Sequence, residues 1–186
     1  AVADPPTPLL PMTRRPSNSA GISALGPEVT GLKVGDVVGV CSSGVQPPLG
    51  MFTPGGFADK LAADYRDLAR VPDGLDLSLA ALATDAGMTS YHAMIKVGGA
   101  RKGCVKDASE WVDAANPRAG GDFDLIVDYA GFDTTQKAVN AIKRGGKVVQ
   151  VGLGKPTFTV ATNTILGKSS EGSLGGTVQD IEEVFD

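Results

Sequence analysis

A single histidine and two cysteines are the only imidazole and thiol groups in these 186 residues. The cysteines, Cys41 and Cys104, stand far apart and form no CxxC pair. A structural zinc site takes four Cys or His ligands, so this chain cannot build one. Two distant cysteines also supply no disulfide framework. Basic clusters are lacking: only Arg14-Arg15 and Arg101-Lys102 adjoin, and the net charge is −4. That excludes the electrostatic footprint of a nucleic-acid binder. No apolar run approaches the ~18 residues that a membrane helix needs. The opening stretch AVADPPTPLLPM lacks the basic-then-apolar order of a signal peptide, and the expected location is cytoplasmic.

What is present is an ordinary globular balance, 42% apolar and 20% charged, with length for one domain or two small ones. The 25 glycines and 12 prolines follow no period, so they mark turns rather than repeats.

The chain reads in two grammars. Residues 1–77 are β and loop. GLKVGDVVGV is a turn and then an alternating strand, with Val34, Val38 and Val40 on or near one face. GGFADKLAAD is a second strand, and DLARVPDGL a short third one stopped by Pro72 and turned at Asp73-Gly74. Residues 78–186 are α/β. LSLAALATDAGMTSYHAMI reads as two short helices meeting at Asp85-Ala86-Gly87. FDLIVDYAG carries a continuous apolar run, Leu125 to Val127, the mark of a strand buried on both faces of a parallel sheet. TTQKAVNAIKRGG is a helix ended by glycine, and KVVQVGLG is another buried strand. Strand, helix, strand in that order is a βαβ unit. TVQDIEEVFD begins a last helix.

Taken together and in order, GPEVTGLKVGDVVGV, GGFADK, VPDGLDLSLAALATDAGMTSYHA, DLIVDYAG and GGKVVQVGLG resemble the zinc-type alcohol dehydrogenases of the medium-chain dehydrogenase/reductase superfamily. The resemblance covers most of residues 20–186. It implies an α/β chain: a GroES-like β domain over 1–77 and a Rossmann-type parallel sheet over 78–186, each incomplete. It also implies hydride transfer between a small alcohol and an aldehyde or ketone, NAD or NADP as cofactor, a catalytic zinc, and a homo-oligomer. A carboxylate amid apolar residues is costly to bury unpaired. Asp85 falls on the family's third zinc-ligand position, and Thr89 on a residue beside the nicotinamide. Ala130 and Gly131, then Val151, Gly152 and Leu153, then Ser173 and Leu174 match the family's cofactor-facing strand ends.

The departures are as informative. Where the family has Gly-His-Glu with a zinc ligand, this chain reads TRRPSNSAG, which looks like an out-of-frame reading of such a motif. No earlier Cys ligand is present. A Rossmann unit needs strand, GxGxxG and helix, yet Gly103 runs directly into CVKDASEWVD. On the order of 30 residues, one βαβ segment, are skipped there, and a second skip falls at Pro8–Leu9. Three readings follow: an oxidoreductase written incompletely, a non-catalytic fragment that only dimerises, and a zinc-free quinone-reductase-like protein. For the remaining candidates the plain readings are favoured. Asp85 alone would be an N-cap or inter-helix turn residue satisfied by backbone N–H groups. His92, about two helical turns on, is a packed helix histidine. Cys41 is a half-buried free thiol, and Trp111 lies in a short capped helix.

Overall fold

The computed structural model describes residues 19–45, 59–100, 123–155 and 157–186. The join at Pro8–Leu9, the double glycine at 55–56, the join at Gly103–Cys104 and the segment around Trp111 lie outside the described residues. Two compact units are present: residues 1–91 with 175–186, and residues 92–174. This division falls inside the helical run, whereas the composition changes at 77/78.

In the first unit, strands β1 (Ser19–Gly21), β2 (Val37–Val40) and β3 (Leu68–Arg70) form an antiparallel sheet in the order β1-β2-β3. Alternation along β2 sends its residues to two cores. Val38 and Val40 pack with Ala20, Ile22, Ala63 and Leu68 on one side. Cys41 and Ala69 join Met88 and Ile181 on the other. Val34 is exposed in the turn before β2, not on the strand face, because the strand begins only at Val37. The described part of the expected second strand, residues 59–64, is irregular, and a single 3-10 turn at Tyr65–Asp67 leads into β3. β3 ends before Pro72, and Gly74 takes the left-handed turn position at φ 86°.

The helical run departs from expectation. Helix α1 (Leu77–Leu82) is capped by Asp76, whose carboxylate accepts from the N–H groups of Ser78 and Leu79. It does not break at Asp85–Gly87. It widens into a π-turn over Ala83–Gly87 and continues as α2 (Met88–Tyr91), with a second π-turn at His92–Val97. Gly87 keeps helical backbone here. Its missing side chain serves packing instead, since a Cβ would stand 3.1 Å from Val184 Cγ1. An i→i+5 turn adds residues per turn, so the 3.6-residue spacing that would put His92 on the face of Asp85 does not hold.

In the second unit, β4 (Phe123–Asp128), β5 (Ile142–Gln150) and β6 (Ser169–Gly172) form a parallel sheet in the order β4-β5-β6. Helix α3 (Asp133–Ala141) connects β4 to β5, as the βαβ pattern predicts. It stops at Ala141, where Ile142 turns to extended backbone, so Lys143–Gly146 belong to β5 and not to a glycine-ended helix. Leu125–Val127 are half-buried rather than buried on both faces, because β4 is an edge of the described sheet. Ala138, Val139, Ile142 and Val148 form this unit's core. A short α4 (Thr162–Ile165) precedes β6. The last helix, α5 (Val178–Phe185), returns to the first unit. It is started by a reciprocal capping box between Thr177 and Asp180.

Candidate functional site

Parallel strands place their C-terminal ends on one edge, and ligands of open α/β sheets bind there. The register aligns Asp128, Gln150 and Gly172 as neighbours across β4, β5 and β6. The residues that follow each strand therefore form one shelf: Tyr129–Gly131, Val151–Gly154 and Ser173–Leu174. Seven of the eight residues expected at the cofactor, Ala130, Gly131, Val151, Gly152, Leu153, Ser173 and Leu174, are brought together here, and Thr89 belongs to the first unit.

The shelf has a tightly knit floor. A Cβ on Gly131 would stand 2.2 Å from Gly152 O, and one on Gly152 only 2.4 Å from Tyr129 O. Backbone meets backbone at these two strand ends, and no side chain fits between. Val151 and Gly152 both donate backbone N–H bonds to Asp128 O, at 2.9 and 3.0 Å. Above this floor, Leu153 and Leu174 are 85% and 82% exposed. Two apolar side chains thus stand on the surface at this edge. Ser173 is different. It is buried, its N–H is bound to Gln150 O, and its hydroxyl has no hydrogen-bond partner. A buried polar group without a partner costs about 1–3 kcal/mol. Ser19 Oγ is the other such hydroxyl among the described residues, and it borders residues outside that set.

The carboxylate beneath the shelf was not singled out by sequence reasoning. Asp128 Oδ1 accepts from the N–H groups of Ala130 and Gly131, each at 3.0 Å, and from Thr134 Oγ1 at 2.8 Å. Asp128 Oδ2 accepts from Thr135 Oγ1 at 2.7 Å. Burial by itself would raise this carboxyl, but the bonds from Thr135, Gly131, Thr134 and Ala130 outweigh it and hold it below the usual carboxylate value. The signal available in the sequence was DYAGFDTT, an Asp at a strand end followed by glycine and two hydroxyl residues at a helix start.

The first unit holds the other predicted residues. Asp85 lies exposed within the π-turn, two positions after its start, and it caps no helix; Thr89 is half-buried on α2. Among the described residues, no three His, Cys, Asp or Glu side chains stand where they could hold a metal ion. Cys41 is free and fully buried, not half-buried: its Sγ lies 3.6 Å from Met88 Sδ and 3.6 Å from Gly176 O. Desolvation pushes its thiol pKa up, which disfavours the thiolate.

No protein-family model matches the chain. Its sequence relatives include two alcohol dehydrogenases from Geobacillus stearothermophilus. One is 27% identical across 97% of this chain and 73% of the relative; the other is 27% identical across 85% and 66%. The first alignment runs over 253 positions, more than the 186 residues of the chain. The chain is therefore interrupted by gaps against that protein. Among solved structures, an alcohol dehydrogenase from Aeropyrum pernix superposes with a TM-score of 0.75 at 17% identity, over 90% of this chain and 70% of that one. D-arabinose dehydrogenase from Sulfolobus solfataricus gives 0.74 at 19% identity, over 91% and 74%. A cobalt- and zinc-bound thermostable alcohol dehydrogenase from Pyrobaculum aerophilum gives 0.69 at 17%, over 90% and 68%. The chain has the fold of the alcohol dehydrogenases, and its sequence relatives are alcohol dehydrogenases.

Proposed function

We propose that the chain is an oxidoreductase of the zinc-type alcohol dehydrogenase kind. Its retained working surface is the strand-end shelf, taking the nicotinamide end of NAD or NADP. One observation carries this reading. The parallel pairing carries Tyr129–Gly131, Val151–Gly154 and Ser173–Leu174 to one edge, where parallel sheets bind ligands. By resemblance, that edge takes a planar, amide-bearing ring whose amide meets the backbone at Ser173-Leu174. When bound, such a cofactor exchanges hydride with a carbon centre. The chain's own part is to hold and orient it. The backbone at Ser173-Leu174 meets the ring's amide, Leu153 and Leu174 exclude water from one face, and the Gly131–Gly152 contact keeps the floor flat. By resemblance, the substrate is an alcohol, aldehyde or ketone, and Asp85 and Thr89 on the helical run of the first unit match the family's substrate-side positions.

The described residues do not fit a catalytic zinc. Such a site needs three protein ligands, and Asp85 is a lone exposed carboxylate. No step is therefore assigned to a metal. The gaps against the Geobacillus protein and the lack of a GxGxxG in the sequence favour a second reading. In it, the chain is a non-catalytic relative that has lost the phosphate-binding loop.

Titration with NADH, followed by nicotinamide fluorescence, separates the two, with zinc content from atomic emission alongside. The first reading expects saturable NADH binding with NADH-linked turnover of a simple alcohol, and Ser173→Ala leaves that binding unchanged while making the protein more stable by about 1 kcal/mol, since the uncompensated hydroxyl is gone. Lack of NADH binding and of NADH-linked alcohol turnover establishes the second reading.

A further inference from the structure

We propose that Asp128 is the positioning residue of the strand-end shelf. Its carboxylate ties the Tyr129–Gly131 turn and the start of α3 into one rigid piece that presses against Gly152. The inference rests on the shelf reading given above. It deepens that reading by naming the group that sets the shelf's shape without touching the ligand.

The geometry is specific. Gly131 holds the left-handed conformation at φ 72°, and its N–H points at Asp128 Oδ1. Thr134 and Thr135 occupy the first turn of α3, and both hydroxyls donate to the same carboxylate. The N-cap of that helix, Phe132, offers no side-chain bond, so Asp128 ties this end down instead. The arrangement then crosses to β5. Thr135 Oγ1 lies 2.8 Å from Gln150 Oε1, and Gln150 Nε2 donates to Gly152 O at 2.6 Å. A hydroxyl has one proton, and the ionised carboxylate is the stronger acceptor. Asp128 takes that proton, while Gln150 is oriented by its own bond to Gly152. The turn after β4 and the turn after β5 are joined at Asp128 itself, whose carbonyl oxygen accepts from the N–H groups of Val151 and Gly152, while Thr135 Oγ1 and Gln150 Oε1 stand side by side as two acceptors. Every donor is neutral and every bond is local to the shelf. A purely stabilising carboxylate would do as well paired to a lysine elsewhere on the sheet.

The test compares NADH affinity of the full chain with that of Asp128→Asn and Thr135→Val, each well below its own unfolding midpoint. Gly39→Ala, in the first unit, serves as a destabilised control. Asn keeps the shape of Asp but turns one acceptor into a donor that faces hydroxyls and N–H groups. Asp128→Asn is expected to weaken NADH by about tenfold and Thr135→Val by about threefold, whereas Gly39→Ala leaves affinity within about twofold of the parent. A folded Asp128→Asn that binds NADH like the parent overturns the proposal. So does a loss of affinity in Gly39→Ala equal to that in Asp128→Asn, which would mark general destabilisation. Should Asp128→Asn fail to fold, unchanged affinity in Thr135→Val overturns it equally. If the parent chain itself binds no NADH, the shelf reading fails and the proposal with it, an outcome distinct from loss in the variants alone.

Discussion

Gly131 and Gly152 meet so closely that a Cβ on Gly131 would stand 2.2 Å from the carbonyl oxygen of Gly152. Gly145 offers the useful comparison: it has φ 79°, but a Cβ there would meet nothing within 4 Å. Gly131→Ala therefore meets both backbone strain and a backbone clash, and Gly145→Ala meets strain alone. We expect a loss of roughly 3 kcal/mol or more for the first and about 1–2 kcal/mol for the second. Urea unfolding of the two variants checks this, and equal losses would show that the contact between the strand ends yields freely.

Gly39 has a different neighbour. A Cβ there would stand 2.4 Å from Thr84 Cγ2, a fully buried methyl. Gly39→Ala should cost about 1–3 kcal/mol by overpacking. Removing the methyl with Thr84→Ser should restore much of it, because the hydroxyl bond from Thr84 Oγ1 to Ala81 O at 2.8 Å is kept. A double-mutant cycle by thermal unfolding reads the coupling; additive effects would mean that the two residues are not in contact.

Acid should unfold the second unit partly through Asp128. Its carboxyl is held below the usual value in the folded state. The stability it contributes is thus present above the unfolded-state pKa of about 4 and disappears as pH falls through the folded value. Asp128→Asn should be less stable than the parent at neutral pH. The gap should narrow between about pH 5 and pH 3. Denaturation midpoints across that range decide it; a constant gap would assign the loss to packing rather than to ionisation.

Cys41 should resist thiol reagents. Burial raises its pKa above the ordinary thiol value, and its Sγ is enclosed by Met88, Ser43 and Gly176. In a Cys104→Ser background at pH 8, labelling by a disulfide reagent should track global unfolding. Fast labelling of the folded protein would show that the pocket around Cys41 opens locally.

Much of the architecture is legible in the residues themselves. The run of Leu125–Val127, the placing of Ala138 and Val139 on one buried helix face, and Thr177 followed by Asp180 each report a local rule of backbone period or capping. The helical run from Leu77 is legible as helix but not in its turns. The π-turn over Ala83–Gly87 leaves no local mark, since it is set by packing of the run against β2 and α5, where Gly39 and Gly87 let Thr84 and Val184 come close. Val34 sits off the strand face for a related reason: alternation names a face only once the strand's first residue is known, and β2 starts at Val37.

For the shelf, the sequence by itself determined that Ala130-Gly131, Val151–Leu153 and Ser173-Leu174 follow strands. Apolar runs bounded by glycine say as much for the first two without any fold, and for Ser173-Leu174 the family resemblance says it, since SSEG is a polar strand. Only the tertiary structure decided that the three segments lie side by side, that Asp128 serves four donors, and that Ser173 has no partner for its hydroxyl. The bonds from Val151 and Gly152 to Asp128 O join residues brought together by parallel pairing, and pairing register is a property of the assembled sheet, not of any one strand.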